Sequence, residues 1–506
     1  MNTQPTDLAG PGVIAKYSTQ RIPRYRNNPL IEALPPSLDD DELIGALQQY
    51  PDFNPEQRSW PTHERTQLIL GLANFTVPLA CQVRLAYAMD SMVREGYVGR
   101  APRTAEHTRI FQQLYENQKT NRAFSLDALR TSPQLSTALI GPPGNGKTSI
   151  VKRVMALKPP VIFHPDLALW QIPYLHVEAP HDGASVKGLA YSILRQIDGL
   201  IPDAHYYETY ALRAHPSDRT LMDRVARVLH MHAVGMLILD EIQNLANAPK
   251  NKQTLMTLLV SASNELQVPI LFVGTNKARR VLNLDVRQAR RSVGHGLDYW
   301  DRLREAKSPD TPGEWEDFLT VLWHFQWTRN PVSLNPNLAK LMYSRTQGII
   351  DIAIKLFAAS QWRAMLDGSE TLTSQLIADV ANKELAPVAP IIDALAAGNE
   401  SEIDSLEDIA PIGLENLMDD AKRRFEGKRV RGASIKPGDL QFAPQISGAL
   451  TQLGVEPDQA DSLADTIEKQ GQAKNVLDGM KEAVSRMQPP RTRRKTPSEP
   501  EPDLKL

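Results

Sequence analysis

Between residues 120 and 300, short apolar runs alternate with stretches whose apolar positions recur every three or four residues. The runs "LSTALIG", "QIPYLHVEAP", "GMLILDE" and "VPILFVGTN" are of strand length and lack a polar residue at every second place, so they predict strands covered on both faces. "KTSIVKRVMAL", "SVKGLAYSILRQI", "LMDRVARVLHMH" and "QTLMTLLVSASNEL" carry helical spacing. The third sets Leu221, Val225, Val228 and Leu229 on one face; the fourth sets Leu255, Leu258, Leu259, Ala262 and Leu266. Strand alternating with helix predicts an α/β unit built on a parallel sheet.

The flanks read differently. Residues 1 to about 60 are rich in Pro, Asn and Asp, with Ser37 and Asp40 spaced as a capping box ahead of a short helix. "THERTQLILGLANFTVPLACQVRLAYAMDSMVREG" predicts two helical segments parted near Pro78. After the core, "GEWEDFLTVLWHFQW" and "GIIDIAIKLFAASQWRAML" predict a helical module. Three short helices then carry apolar faces: Ile446, Leu450 and Leu453; Leu463 and Ile467; Val476, Met480 and Val484. The expected organisation is an N-terminal accessory region (1–119), an α/β core (120–305) and a helical lid (306–385). A linker (386–435), a small partner-binding bundle (436–487) and a disordered charged, Pro-rich tail (488–506) complete it. For 506 residues, about three folded units is the ordinary expectation.

Composition narrows the classes. With 42% apolar and 23% charged residues the chain is globular, and a net charge of −2 means that any contact to nucleic acid must come from local basic patches. The single cysteine, Cys81, excludes an intrachain disulfide, and its apolar neighbours mark it as a core thiol. His230 and His232 have no acidic or cysteine partners in the sequence around them, which speaks against a metal site. No apolar stretch approaches the roughly 20 residues that span a bilayer, and no signal pattern opens the chain, so no membrane partner and a cytoplasmic location are expected.

The chemistry sits where strand meets helix. Gly141, Gly144, Asn145, Gly146, Lys147, Thr148 and Ser149 fit the phosphate-loop spacing G-x-x-x-x-G-K-[ST], here between a predicted strand and a predicted helix. Main-chain N–H groups would cradle the α- and β-phosphates, Lys147 would reach the β/γ-phosphates and Thr148 would bind Mg²⁺. Asp240 and Glu241 close the apolar run "MLILDE", at a strand's C-terminal edge where open α/β sheets bind ligands. Asp240 would organise Mg²⁺ and its water, and Glu241 would act as base on the attacking water. Thr275 and Asn276 end the next buried run, placed to orient that water. ATP and Mg²⁺ are therefore the expected cofactors and ATP hydrolysis the expected reaction.

Loop, acid strand, polar strand and helical module follow one another as in AAA+ ATPases. Such proteins complete their sites between subunits with an arginine, which implies a homo-oligomer, ring or filament; "DVRQARRSVG" offers Arg287, Arg290 and Arg291, with Arg290 or Arg291 preferred. Many have Gly-x-x-Arg in the lid; this chain has Gly348 and then Asp351, with Arg345 one turn earlier as a substitute. Residues 240–278, "DEIQNLANAPKNKQTLMTLLVSASNELQVPILFVGTNKA", resemble the TniB/TnsC family of transposition ATPases, and the likeness extends over roughly residues 20–365. It implies an ATP-dependent oligomer on double-stranded target DNA that recruits or activates a transposase, with target-selector proteins as further partners. Lys187, Lys250 and Lys252 lie on loops suited to phosphate contacts; for each, a solvated surface lysine is the plain alternative. Two other functions use the same core: a replication initiator or helicase loader, and a signalling NTPase assembling on proteins without DNA.

Overall fold

The computed structural model describes residues 12–105, scattered positions between 107 and 116, and residues 136–180, 186–212, 216–247, 268–278, 300–306, 313–398, 443–452, 455–469, 481–483 and 486. Contacts divide the chain into two units, Met1–Ala421 and Lys422–Leu506. The first begins with strand β1 (Gly12–Ile14) and helices α1 (Pro29–Glu32), α2 (Asp40–Leu47), α3 (Thr62–Leu68) and α4 (Ala80–Tyr97). Then come β2 (Thr137–Ile140), α5 (Lys147–Met155), β3 (Val161–His164), β4 (Leu169–Gln171), β5 (Tyr174–Glu178), α6 (Val186–Leu200), α7 (Asp218–Met231), β6 (Met236–Asp240) and β7 (Ile270–Gly274). Five helices follow: α8 (Glu314–Trp323), α9 (Pro336–Thr346), α10 (Ile350–Asp367), α11 (Ser374–Glu384) and α12 (Ala389–Ala396).

Four parallel strands form the central sheet in the order β2-β7-β6-β5. Every residue of β6 and β7 is buried, as unalternated apolar runs require. Neighbouring side chains go to opposite faces. Met236 and Ile238 join Leu271 and Val273 in a layer with Ile150, Val151 and Val154 of α5 and Leu85, Met89 and Val93 of α4. Leu237 and Leu239 join Ile270 and Phe272 against Leu189, Ile193 and Ile197 of α6 and Val225, Val228 and Leu229 of α7. The α/β class, parallel sheet, helical lid and helical extensions expected from the sequence are those the chain adopts.

Some of the arrangement differs from the sequence reading. A second, three-stranded sheet pairs β1 parallel to β3 and β3 antiparallel to β4. β1 and β3 lie outside the apolar runs singled out above, and β4 overlaps one of them only at Gln171. The cap of α2 is Asp39 rather than Ser37: Glu42 N donates to Asp39 Oδ1 at 2.9 Å and Asp39 N to Glu42 Oε2 at 3.1 Å. Ser37 Oγ instead donates to Asp90.

The lid has its own core, with Trp315, Phe318, Trp327 and Phe357 at its centre. Ile69, Leu72, Phe75 and Leu79 from the N-terminal region are buried in that same core. Arg65 of α3, fully buried, makes a two-pronged pair with Glu370 at 2.6 and 2.8 Å and donates to Trp327 O at 2.8 Å. The fork supplies the partners that a buried guanidinium needs. Thus α3 and the turn after it belong to the lid, whereas α4 belongs to the sheet. Residues 386–396, expected to begin a linker, are helical and add Val388, Ile391, Ile392 and Leu395 to the lid core.

In the second unit, α13 (Ala443–Gln452) and α14 (Pro457–Lys469) pack through Ile446, Leu450, Ala460, Ala464 and Ile467, joined by Ala483. Leu463 packs against this cluster, while Leu453, Val476, Met480 and Val484 lie outside the described residues, as do the predicted helix over 253–266 and the tail. Among the described residues no helix is long and apolar enough to cross a membrane, and no group of His, Cys, Asp and Glu is placed to hold a metal on its own. His232 Nε2 meets the Tyr206 hydroxyl at 2.7 Å, and burial lowers its pKa to about 4. Cys81 is partly buried, and that burial raises its thiol pKa to about 11.

Candidate nucleotide-binding site

Strand β2 passes to α5 through residues 141–146, and the backbone there needs its glycines. Gly144 has φ +77° and Gly146, the N-cap of α5, has φ +72°, both in the left-handed region. Gly141 is needed for a different reason: a Cβ there would stand 1.9 Å from Trp300 O. Lys147, the first residue of α5, is buried, and its Nζ donates to Gly141 O at 3.0 Å and Pro142 O at 2.8 Å. An ammonium therefore stands at a helix N-terminus, where the first-turn N–H groups have no intrahelical acceptor, and the two together favour an anion.

The sheet order carries the acids to this loop. Because β7 lies between β2 and β6, its end falls between the phosphate loop and Asp240. Asp240 accepts hydrogen bonds from the Thr148 hydroxyl, from His176 Nε2 at 3.1 Å and from Glu241 N at 2.9 Å. Burial acts to raise its pKa, but those donors outweigh burial and hold the carboxyl below its usual range. Glu241 takes φ +53°, uncommon for a residue with a side chain, and its carboxylate accepts from Gln243 Nε2. Gln243 Oε1 in turn accepts from Thr275 N at 3.1 Å, so one amide links the acid to the end of β7.

These groups line a cleft of about 590 Å³, within the usual size range of cofactor sites. Pro143 to Ile150, Asp240, Glu241, Gln243 and Thr275 form its polar half. The other half comes from Ala73 to Val77, Gln82, Phe318, Ile349 to Ile352, Leu385, Val388 and Ile391. Apart from Asp351, sequence reasoning missed that half, because its residues belong to four separate segments with no local signature. It also missed Trp300, whose indole N–H donates to Asn145 O at 2.9 Å from under the loop. The clue was faint: a lone tryptophan in "GLDYWDRLR". Both side-chain atoms of Asn145 and the Thr275 hydroxyl are buried without a partner. Such groups fit the phosphates of a nucleotide and the water around its cation.

Of the residues singled out from sequence, Gly144, Asn145, Gly146, Lys147, Thr148, Ser149, Asp240 and Glu241 are brought together in the cleft wall, with Gly141 supporting the loop. Asn276 follows Thr275 in the first turn after β7. Lys187 sits apart, in the first turn of α6, 3.8 Å from Asp218. Arg345 donates to Asn382 at 3.1 Å and is not among the cleft residues. Arg287, Arg290, Arg291, Lys250 and Lys252 lie outside the described residues.

Trp300→Phe keeps an aromatic ring under the loop and deletes the donor to Asn145 O. A neutral hydrogen bond contributes about 1 kcal/mol to the folded protein, so thermal stability should fall slightly, and ATP affinity should fall by up to about fivefold as the loop loses its support. Titration calorimetry with each variant reads this; an unchanged affinity would leave Trp300 a packing residue only.

Residues 123–302 match the family model of the bacterial TniB protein. The chain matches none of the curated proteins. Among solved structures it is similar to the ORC2 protein of Aeropyrum pernix in its ADPNP and ADP complexes, at 14% identity and a TM-score of 0.30, covering 64% of this chain and 78% of that chain.

Proposed function

We propose that this chain, TniB-like across its α/β core, is an ATP-hydrolysing AAA+ regulator of transposition that assembles on target DNA in the cytoplasm and recruits or activates a transposase. The observation that carries the reading is the convergence on one cleft of the phosphate loop, Asp240 and Glu241, three features that all lie within the TniB-matching segment. Lys147 and the loop's N–H groups bind the phosphates, and Glu241 takes the proton of the attacking water. Thr148 and Asp240 would hold Mg²⁺, which when bound supplies charge neutralisation at the phosphates. Asn276, beside Thr275, orients the water. Arg290 or Arg291 reaches the cleft of a neighbouring copy, so hydrolysis depends on assembly. The second unit is a docking module for the transposase or a target-selector protein.

Lys187, Lys250 and Lys252 make the DNA contacts, and since lysines meet phosphates rather than base edges, binding is largely sequence-independent. With a slowly hydrolysed ATP analogue, duplex affinity measured by fluorescence anisotropy should drop steeply with salt. Changing all three lysines to Ala should flatten the log–log slope by about 2 to 3, with nucleotide affinity retained. A parent protein that ignores duplex DNA under these conditions would refute the DNA half of the proposal. An unaltered slope would move the contact elsewhere, to the exposed basic stretch Arg21 to Arg26 first.

A further inference from the structure

The lid helix α10 reaches the phosphate loop with an acid, Asp351, the fourth residue counted from Gly348. Asp351 N donates to Gly144 O at 3.0 Å, and a Cβ built on Gly144 would stand 3.5 Å from Asp351 Cβ and 3.9 Å from Asp351 Oδ2. A carboxylate at the lip of an anion site opposes the phosphates it should admit, unless a cation neutralises it. That cation is present. Lys355, one turn along the same helix face, places Nζ 2.5 Å from Asp351 Oδ2, and both residues line the cleft that holds Lys147.

We propose that Lys355 reads the terminal phosphate of a bound nucleoside triphosphate, and that Asp351 is its resting partner when that phosphate is absent. The inference rests on the ATP reading above. The lysine side chain is 11% exposed and the aspartate side chain 44% exposed. When the pair opens, the carboxylate is therefore taken up by water, while the ammonium stays over the cleft and needs an anion there. A γ-phosphate carries more charge than a carboxylate and offers more acceptor oxygens, so it wins the exchange; a diphosphate ends too early to compete. Because Asp351 also holds the loop through its backbone N–H, the exchange takes place at the point where lid and phosphate loop are joined. The pair thus sets the preference for triphosphate over diphosphate and ties it to the lid.

Equilibrium binding of a non-hydrolysable ATP analogue and of ADP, each with Mg²⁺, tests this on the full chain. Lys355→Ala should weaken the triphosphate about tenfold or more and leave ADP within about twofold, the loss of one charge-assisted hydrogen bond to a single phosphate. Lys355→Arg should recover most of the loss, and Asp351→Asn, which removes the competitor, should tighten the triphosphate alone. Equal losses for both nucleotides in Lys355→Ala, or no loss at all, would overturn the proposal and leave the ATP assignment standing. Should Lys355→Ala misfold, an unchanged triphosphate-to-diphosphate ratio in Asp351→Asn would overturn it as well. A parent protein that binds neither nucleotide sinks the ATP reading and this one with it.

Discussion

Replacing Lys147 by alanine lowers ATP affinity by about a hundredfold or more, to the edge of detection in a calorimetric titration. The lysine is buried at the first turn of α5, and in the present structure its ammonium spends its hydrogen bonds on Gly141 O and Pro142 O. Those carbonyls are the loop's own, so a phosphate that enters exchanges a weak neutral acceptor for a charged one. No other ammonium stands at that helix N-terminus among the described residues of the loop. Circular dichroism should stay parental, since the ammonium's partners Gly141 O and Pro142 O belong to the loop itself and not to the sheet. Unchanged ATP affinity in a folded Lys147→Ala protein would remove the phosphate-loop assignment.

The second large effect is separable from the first. Glu241→Gln should bind ATP within a few-fold of the parent and hydrolyse it about a thousandfold more slowly, because an amide keeps the shape and loses the base. Local structure is protected in this variant: the new amide's oxygen accepts from Gln243 Nε2 as the carboxylate does, so the link to Thr275 N survives. Phosphate release in single turnover is the measurement, and the trapped ATP state should hold duplex DNA longer. Turnover at the parental rate would show that another group takes the proton.

How much of this could be read from the chain follows from how local each feature is. The phosphate loop, β6 with its two acids and the buried strands were legible because each is one contiguous pattern, apolar run or fixed spacing. The apolar half of the cleft was not. Phe75, Phe318, Val388 and Ile391 are each ordinary core residues in sequence, and only the packing of α8 and α12 with the segment after α3 gathers them. The same non-locality hid the end of the lid. "APVAP" reads as a linker from its prolines, yet Pro387 and Pro390 occupy first-turn positions, where a missing N–H costs nothing. A truncation after Ala386 would strip Val388 and Ile391 from the cleft wall; one after Gly398 leaves them in place. Asp351 shows the opposite case. The departure from Gly-x-x-Arg was visible in sequence, but its compensation at Lys355 required the helix to be folded.

Leu79 is buried in the lid core and Leu85 in the layer on the sheet; Trp300 lies in that layer and Leu303 in the lid. Trp300 N donates to Ile140 O at 2.9 Å and Leu303 N to Gly348 O at 3.0 Å, so each crossing is pinned on both sides by main chain or packed side chains. A third crossing lies between Leu47 of α2, in the sheet layer, and Phe53, packed on the lid core, so the chain passes between the two bodies three times. A plate hung from one pin swivels freely, and each further pin removes a direction in which it can turn. Nucleotide exchange in the cleft would then move the lid against three tethers rather than loosen it generally.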